Sequence, residues 1–279
     1  MGTPKLLQGA LNPIMEPSSK AESLYGPSIT PAKGFLIVNA DDWGRDELTT
    51  NRILDCTALG TVSSVSAMVF MKDSERSAAI AQERRIETGL HINFTTEFSA
   101  SDCRAELIEH QQKVGRYLLR HRLAQAVFHP GLKRSFEYLV AAQIDEYRRI
   151  YGASPSKIDG HHHMHLCANV TRQELLPEGT LVRRNFSFNK NEKGLVNRFY
   201  RNRLDRKLAK RHKLTGYFYS LPPLEPQSRL QQIYSLAVDS VVEVETHPVV
   251  PEEYGYLTGK EIFGQIKNTR IAPPSLLFQ

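Results

Sequence analysis

Aspartates and histidines recur in four short, widely separated stretches: Asp41-Asp42, His91, Asp159-Gly160-His161-His162-His163-Met164-His165, and His247-Pro248. Carboxylates and imidazoles bind divalent cations, and imidazole moves protons near neutral pH. Four histidines within five positions (161–165) would be wasteful as packing, because each buried ring nitrogen needs a partner. That cluster reads as a built site before it reads as a chance surface metal trap. Asp41 and Asp42 are adjacent, so an extended segment would point them in different directions, one to a metal and the other to a proton on bound water. Alone, the pair would read as a strand-end turn and His91 as a structural histidine. If the chain stays extended after Asp159, then Asp159, His161, His163 and His165 share a face. Pro248 fixes the backbone after His247 and could present that ring rigidly at a rim.

Such residues act together only if the intervening chain brings them together. Phe35–Val38 reads as a strand ending at Asp41 and Asp42. Glu47–Leu59 reads as a helix with Leu48, Ile53, Leu54 and Ala58 on one face and Gly60 as its stop. Residues 62–70 read as a strand, Ser74 as the cap of a helix running towards Arg85, and a short strand leads into His91. Residues 102–151 read as mainly helical with a break near His129-Pro130-Gly131. Strands follow at Lys157–Ile158, Leu181–Phe188, Tyr217–Leu221 and Val241–Val244, with helices near 194–212 and 227–238. This alternation favours a parallel sheet, open or closed into a barrel. The chemical residues stand at the ends of the apolar runs, and in parallel α/β folds the loops after the strands open on one shared face.

Bulk composition excludes several classes. A hydrophobic fraction of 41% with 24% charged residues is that of a folded globular chain, not a disordered one. No apolar run reaches the roughly 20 residues needed to span a bilayer. The three scattered cysteines form no CxxC pair, and the N-terminus makes a poor secretory signal, so a cytoplasmic location is expected. Residues 1–33, rich in Pro, Ser and Gly, read as a flexible extension, and 34–279 as a single domain. No GxGxxG, GxxxxGK[ST] or GxSxG motif supports nucleotide or serine-hydrolase chemistry. The net charge of +6 is local: between Arg183 and Lys213 stand 12 Lys/Arg against Glu192 and Asp205, a segment net of +10 that leaves −4 for the rest. Phe186, Phe188, Phe199 and Tyr200 are interleaved there, a mixture that can stack bases. A solvated helix with an apolar stripe explains it better, which argues against nucleic acid as a partner. A variant of that reading steers an anionic or lipid-linked sugar towards the site.

The motifs "IVNADDWG" (37–44), "TGLHINFT" (88–95), "KIDGHHHMH" (157–165) and "VEVETHP" (242–248), in this order, resemble the YdjC-like carbohydrate deacetylases, the chitooligosaccharide and hopanoid-associated group. The resemblance covers about Phe35 to Gly259 and implies a distorted parallel (β/α) barrel related to polysaccharide deacetylases. It implies one divalent metal ion on Asp42, His91 and His161, with Asp41 as general base and His247 as general acid. Asp159 and His163 would support the ligands or touch substrate. The implied activity is removal of an N-acetyl group from an amino sugar or glycoconjugate, releasing acetate. Zinc suits the nitrogen ligands, while magnesium or manganese suits an oxygen-rich open shell. Trp43 stands where the family often has Phe, suggesting a changed wall near the substrate, and Val249 stands where glycine often follows the late His-Pro. The same ion could serve a barrel hydrolase of phosphoesters or other amides, and the oligomeric state is not legible.

Overall fold

The computed structural model describes residues 34–121, 123–188, 194–266 and 269–278; the expected extension at 1–33 and residues 189–193 of the basic segment lie outside them. Seven strands form one sheet: β1 (Phe35–Trp43), β2 (Ser64–Ala67), β3 (Thr88–Ile92), β4 (Lys157–Gly160), β5 (Leu181–Val182), β6 (Tyr217–Ser220) and β7 (Val241–Thr246). Their spatial order is β5-β4-β3-β2-β1-β7-β6, and every pair is parallel. The connections carry α1 (Glu47–Ala58), α2 (Ser74–Arg84), α3 (Ala105–Leu119), α4 (Lys133–Tyr151), α5 (Ala168–Gln173), α6 (Leu195–Leu208) and α7 (Gln227–Leu236). Two short helices, α8 (Pro251–Thr258) and α9 (Glu261–Gln265), follow β7. The expected break near His129-Pro130-Gly131 is met as a 3-10 turn between α3 and α4.

The sheet curls towards a barrel that is left incomplete between β5 and β6. Isolated bonds cross that seam: Lys213 N to Thr180 O at 3.0 Å, Val182 N to Lys213 O at 2.9 Å, and Ser187 N to Phe218 O at 2.7 Å. The strand expected over 181–188 is therefore only two residues long, and the chain beyond Val182 runs irregularly across the seam.

Side-chain alternation separates the two faces. Leu36, Val38 and Ala40, with Val65, Ala67, Leu90, Ile92, Ile158, Val242 and Val244 from the neighbouring strands, join the hydrophobic core packed with the helices. The opposite face is polar: Asn39, Asp41, Ser66, His91, Lys157, Asp159, Glu243 and Glu245 are all buried and joined by hydrogen bonds or ion pairs. Burying polar groups is costly unless they are paired, and the bonds between these side chains offset that cost.

Local expectations need three corrections. Strand β2 covers only Ser64–Ala67 of the expected 62–70. Ser74 lies inside α2 and not at its cap: its hydroxyl accepts from Met71 N and donates to Met68 O, both at 2.9 Å, and Asp73 is the cap residue. In α1 the buried face is Thr49, Thr50, Ile53 and Cys56, while Leu48 is exposed. Asp46 caps that helix by accepting from Thr49 N at 2.9 Å.

Candidate active site

Asp41 and Asp42 sit on a β-bulge. The β1–β2 register runs Ala40↔Val65 and then Trp43↔Ala67, so two aspartates oppose one serine. Asp42 has φ +68, a left-handed conformation that aspartate tolerates better than most side chains. The bulge overturns the expectation that the two carboxylates diverge. Asp41 Oδ2 lies 4.0 Å and Asp42 Oδ1 3.4 Å from the same imidazole nitrogen, Nε2 of His91. The shifted register also returns Trp43 to the core, where it is fully buried. The expectation that its ring walls the substrate is thus not met.

His91 extends from β3 into the polar interior, and its Nδ1–H donates to Asp159 Oδ1 at 2.7 Å. That bond fixes the ring so that Nε2 faces the aspartate pair, the usual way a second carboxylate orients a metal-binding histidine. Strand β4 ends at Gly160, opposite the last residue of β3, Ile92. With no further ladder to hold it extended, the chain winds into a 3-10 turn over His161–Leu166 in which His162 and His163 have φ +53 and +57. A Cβ at Gly160 would lie 3.0 Å from His165 N and 3.1 Å from Ile92 O, so only glycine fits the tight turn without a shift. This corrects the extended reading of 159–165. His161 faces Asp42, with Nδ1 2.9 Å from Oδ1, whereas His165 points away and is fully buried, its Nε2 2.9 Å from Arg183 O. Burial depresses His165 to about 3, which keeps that ring neutral and structural.

The residues that anchor this group were missed by sequence reasoning. Arg183, fully buried, donates to both oxygens of Asp41 at 2.7 and 2.8 Å, to Glu243 at 2.8 Å and to Glu245 at 3.3 Å, and lies 2.9 Å from Asp159 Oδ2. Lys157, equally buried, reaches Asp159 at 2.7 Å, Asn39 at 2.8 Å and Glu243 at 3.1 Å. A Cβ at Gly89 would come within 2.9 Å of Lys157 O, so the glycine on β3 makes room for that strand and its side chain. The signal was present as the alternations Lys-Ile-Asp, Ser-Val-Ser and Val-Glu-Val-Glu, which place a polar residue at every second position of a buried strand.

Charge balance follows from these contacts. Burial would raise the carboxyl of Asp41, but the Arg183 and His91 charges outweigh it and hold it at about 2. Asp42 is likewise held well below the usual range, with burial overcome by hydrogen bonds from His161 and His91. For His91 burial disfavours the charge, yet Asp41, Asp159 and Asp42 raise it to about 10. The interior thus holds Asp41, Asp42, Asp159, Glu243 and Glu245 against two fixed cations, Arg183 and Lys157, and draws a further positive charge. Donor atoms of Asp42, His91 and His161 all lie within 4.8 Å of one another. One carboxylate and two imidazoles, in a buried cluster with excess negative charge, fit a divalent cation. The alternative triplet Asp41, His91 and Asp159 lies equally close, but Arg183 and Lys157 already engage its carboxylates.

Two further expected residues stand at the mouth. His247 Nε2 is 3.9 Å from Asp41 Oδ2, and the ring is 33% exposed. Its backbone N–H donates to Glu253 Oε2 at 2.8 Å, and Arg52 holds the following turn through Val249 O at 2.7 Å. Val249 has no positive φ, so the turn does not require glycine there. His163, 30% exposed, lies 3.6 Å from Glu245 and packs edge-on against Phe186 at 4.6 Å.

Comparison with known proteins gives the family. Over 140 residues the chain is 31% identical to the carbohydrate deacetylase of Mus musculus, covering 48% of this chain and 44% of that protein. Over 137 residues it is 29% identical to the chitooligosaccharide deacetylase of Serratia marcescens, covering 47% and 51%. The matches thus span about half the length of these curated relatives. A proposed cellobiose-phosphate cleavage protein from Enterococcus faecalis shares the fold, with a TM-score of 0.60 at 17% identity over 87% of this chain and 98% of that one. The YdjC-like protein model matches residues 35–268, and the chain belongs to that family.

Proposed function

We propose that this chain is a metal-dependent hydrolase that removes the N-acetyl group of an amino sugar or glycoconjugate and releases acetate. The observation that carries the reading is the convergence of Asp42, His91 and His161 beside an aspartate, Asp41, held ionised by a buried arginine. The names of the mouse and Serratia relatives support deacetylation of a carbohydrate.

Asp42, His91 and His161 would hold the ion, which when bound polarises an amide carbonyl and makes water more acidic. Asp41, fixed by the Arg183 fork, receives the proton of the attacking water. Asp41 then passes that proton to His247, whose Nε2 is 3.9 Å from its Oδ2, restoring the acid that His247 spends. His247 gives a proton to the departing amine nitrogen as the C–N bond breaks, so one water is consumed and acetate and a free amine are formed. Asp159 keeps His91 in one tautomer, and His163 meets the sugar beside Phe186.

The test is acetate release from a panel of N-acetylated sugars by chelated protein, before and after reloading with zinc, magnesium or manganese. Phosphate esters and other amides are run in parallel. Ion-dependent acetate release is expected, and turnover of phosphate esters alone would overturn the reading.

A further inference from the structure

Helix α6 carries a face that the chemistry above does not use. Val196, Phe199 and Tyr200, then Arg203, Arg206 and Lys207, follow the three- and four-residue steps that align side chains on one side of a helix. The apolar three are 84%, 69% and 45% exposed. Arg203 and Arg206 are exposed and form no ion pair among the described residues. The single acid of α6, Asp205, is buried and already engaged by Arg184 and Asn185. Leu123, 69% exposed, stands across a groove of about 690 Å³ that runs from Val196 and Tyr200 to Phe186, His162 and His163 at the site mouth.

We infer that this face docks on an anionic lipid bilayer. Phe199 lies outside the groove, and Val196 keeps 84% of its surface in solvent even though it forms part of the groove's edge; large apolar side chains exposed in this way suit insertion among acyl chains. With the helix lying along the membrane, Val196 and Phe199 enter the interface while the long side chains of Arg203 and Arg206, one and two turns further on, extend back to the lipid phosphates. Arg203, Arg206 and Lys210 are all exposed on α6 and just beyond it, and the chain outside residues 183–213 carries a net −4, so the positive charge offered to an anionic surface is concentrated here. A sugar held on a membrane anchor would then have the groove as its path to the site.

The test is co-sedimentation of the full chain with vesicles of phosphatidylcholine alone or mixed with phosphatidylglycerol, at low and high salt. It needs no turnover, so its result is independent of the catalytic reading. Binding to the anionic vesicles that weakens with salt is expected, falling about fivefold for each of Arg203→Gln and Arg206→Gln. Val196→Ser with Phe199→Ser is expected to weaken it at least about tenfold. An unchanged far-UV spectrum checks that this double variant is folded. Absence of vesicle binding by the wild type, or binding that the double variant retains, would overturn the inference. So would a preference for unstructured RNA over vesicles, or a concentration-dependent dimer that the double variant abolishes while vesicles bind neither protein.

Discussion

At the floor of the site, Arg183 and Lys157 are fully buried and engage Asp41, Asp159, Glu243 and Glu245, so the charges there are fixed in place. At the rim, His247 and His163 keep about a third of their surface in solvent and touch carboxylates only at 3.9 and 3.6 Å. The floor has low dielectric and no freedom to rearrange, which suits holding a cation and keeping an aspartate ionised. The rim can exchange protons with water and reach a substrate. The division teaches that losing a buried cation at the floor registers as stability as well as rate, whereas changes at the rim register as rate alone.

Arg183→Met should break the comparison most severely, because it leaves Asp41, Glu243 and Glu245 buried without their shared cation. A loss of about 3–5 kcal/mol in urea unfolding is expected, together with loss of activity; Arg183→Lys should recover part of the stability but not the two-pronged grip on Asp41. His247→Gln should lower the turnover rate about 10²–10⁴-fold, while stability stays within about 0.5 kcal/mol of the wild type. A large stability loss in that variant would erase the distinction between rim and floor.

Acid unfolding sharpens the floor further. Asp41 titrates near 2 when folded against an ordinary 3.8, so its contribution is complete above 3.8 and is lost as the pH falls through about 2. That is about 2 kcal/mol, and Asp41→Asn should remove this part of the acid transition. His91 behaves oppositely. Raised from 6.5 to about 10, it stabilises metal-free protein fully below pH 6.5, and that stability fades as the pH rises through about 10. A bound cation should flatten this alkaline slope, since a ligating imidazole carries no proton. Urea midpoints taken across that range with and without chelator provide the check, and an unchanged slope in the loaded protein would count against the metal site.

Much of this was legible in the sequence. The strand ends at Asp41, His91, Asp159 and His247 were found because apolar runs stop there. The parallel order follows from the alternation of strands and helices. Three things were not legible, each for a physical reason. The bulge that turns Asp41 and Asp42 towards one imidazole, and buries Trp43, depends on register with β2, a neighbour that one strand cannot reveal. The turn at His162 and His163 depends on where the β3–β4 ladder ends. Arg183 stands first in a run that is basic to Lys213, so its burial was masked by solvent-facing neighbours such as Arg203 and Arg206.

The most direct test of the metal centre is a calorimetric titration of zinc, magnesium and manganese into chelated wild-type protein, Asp42→Asn and His161→Ala. One tightly bound ion per wild-type chain is expected, and at least about tenfold weaker binding in each variant with folding retained. Equal binding in wild type and both variants, or none in any of them, would contradict it.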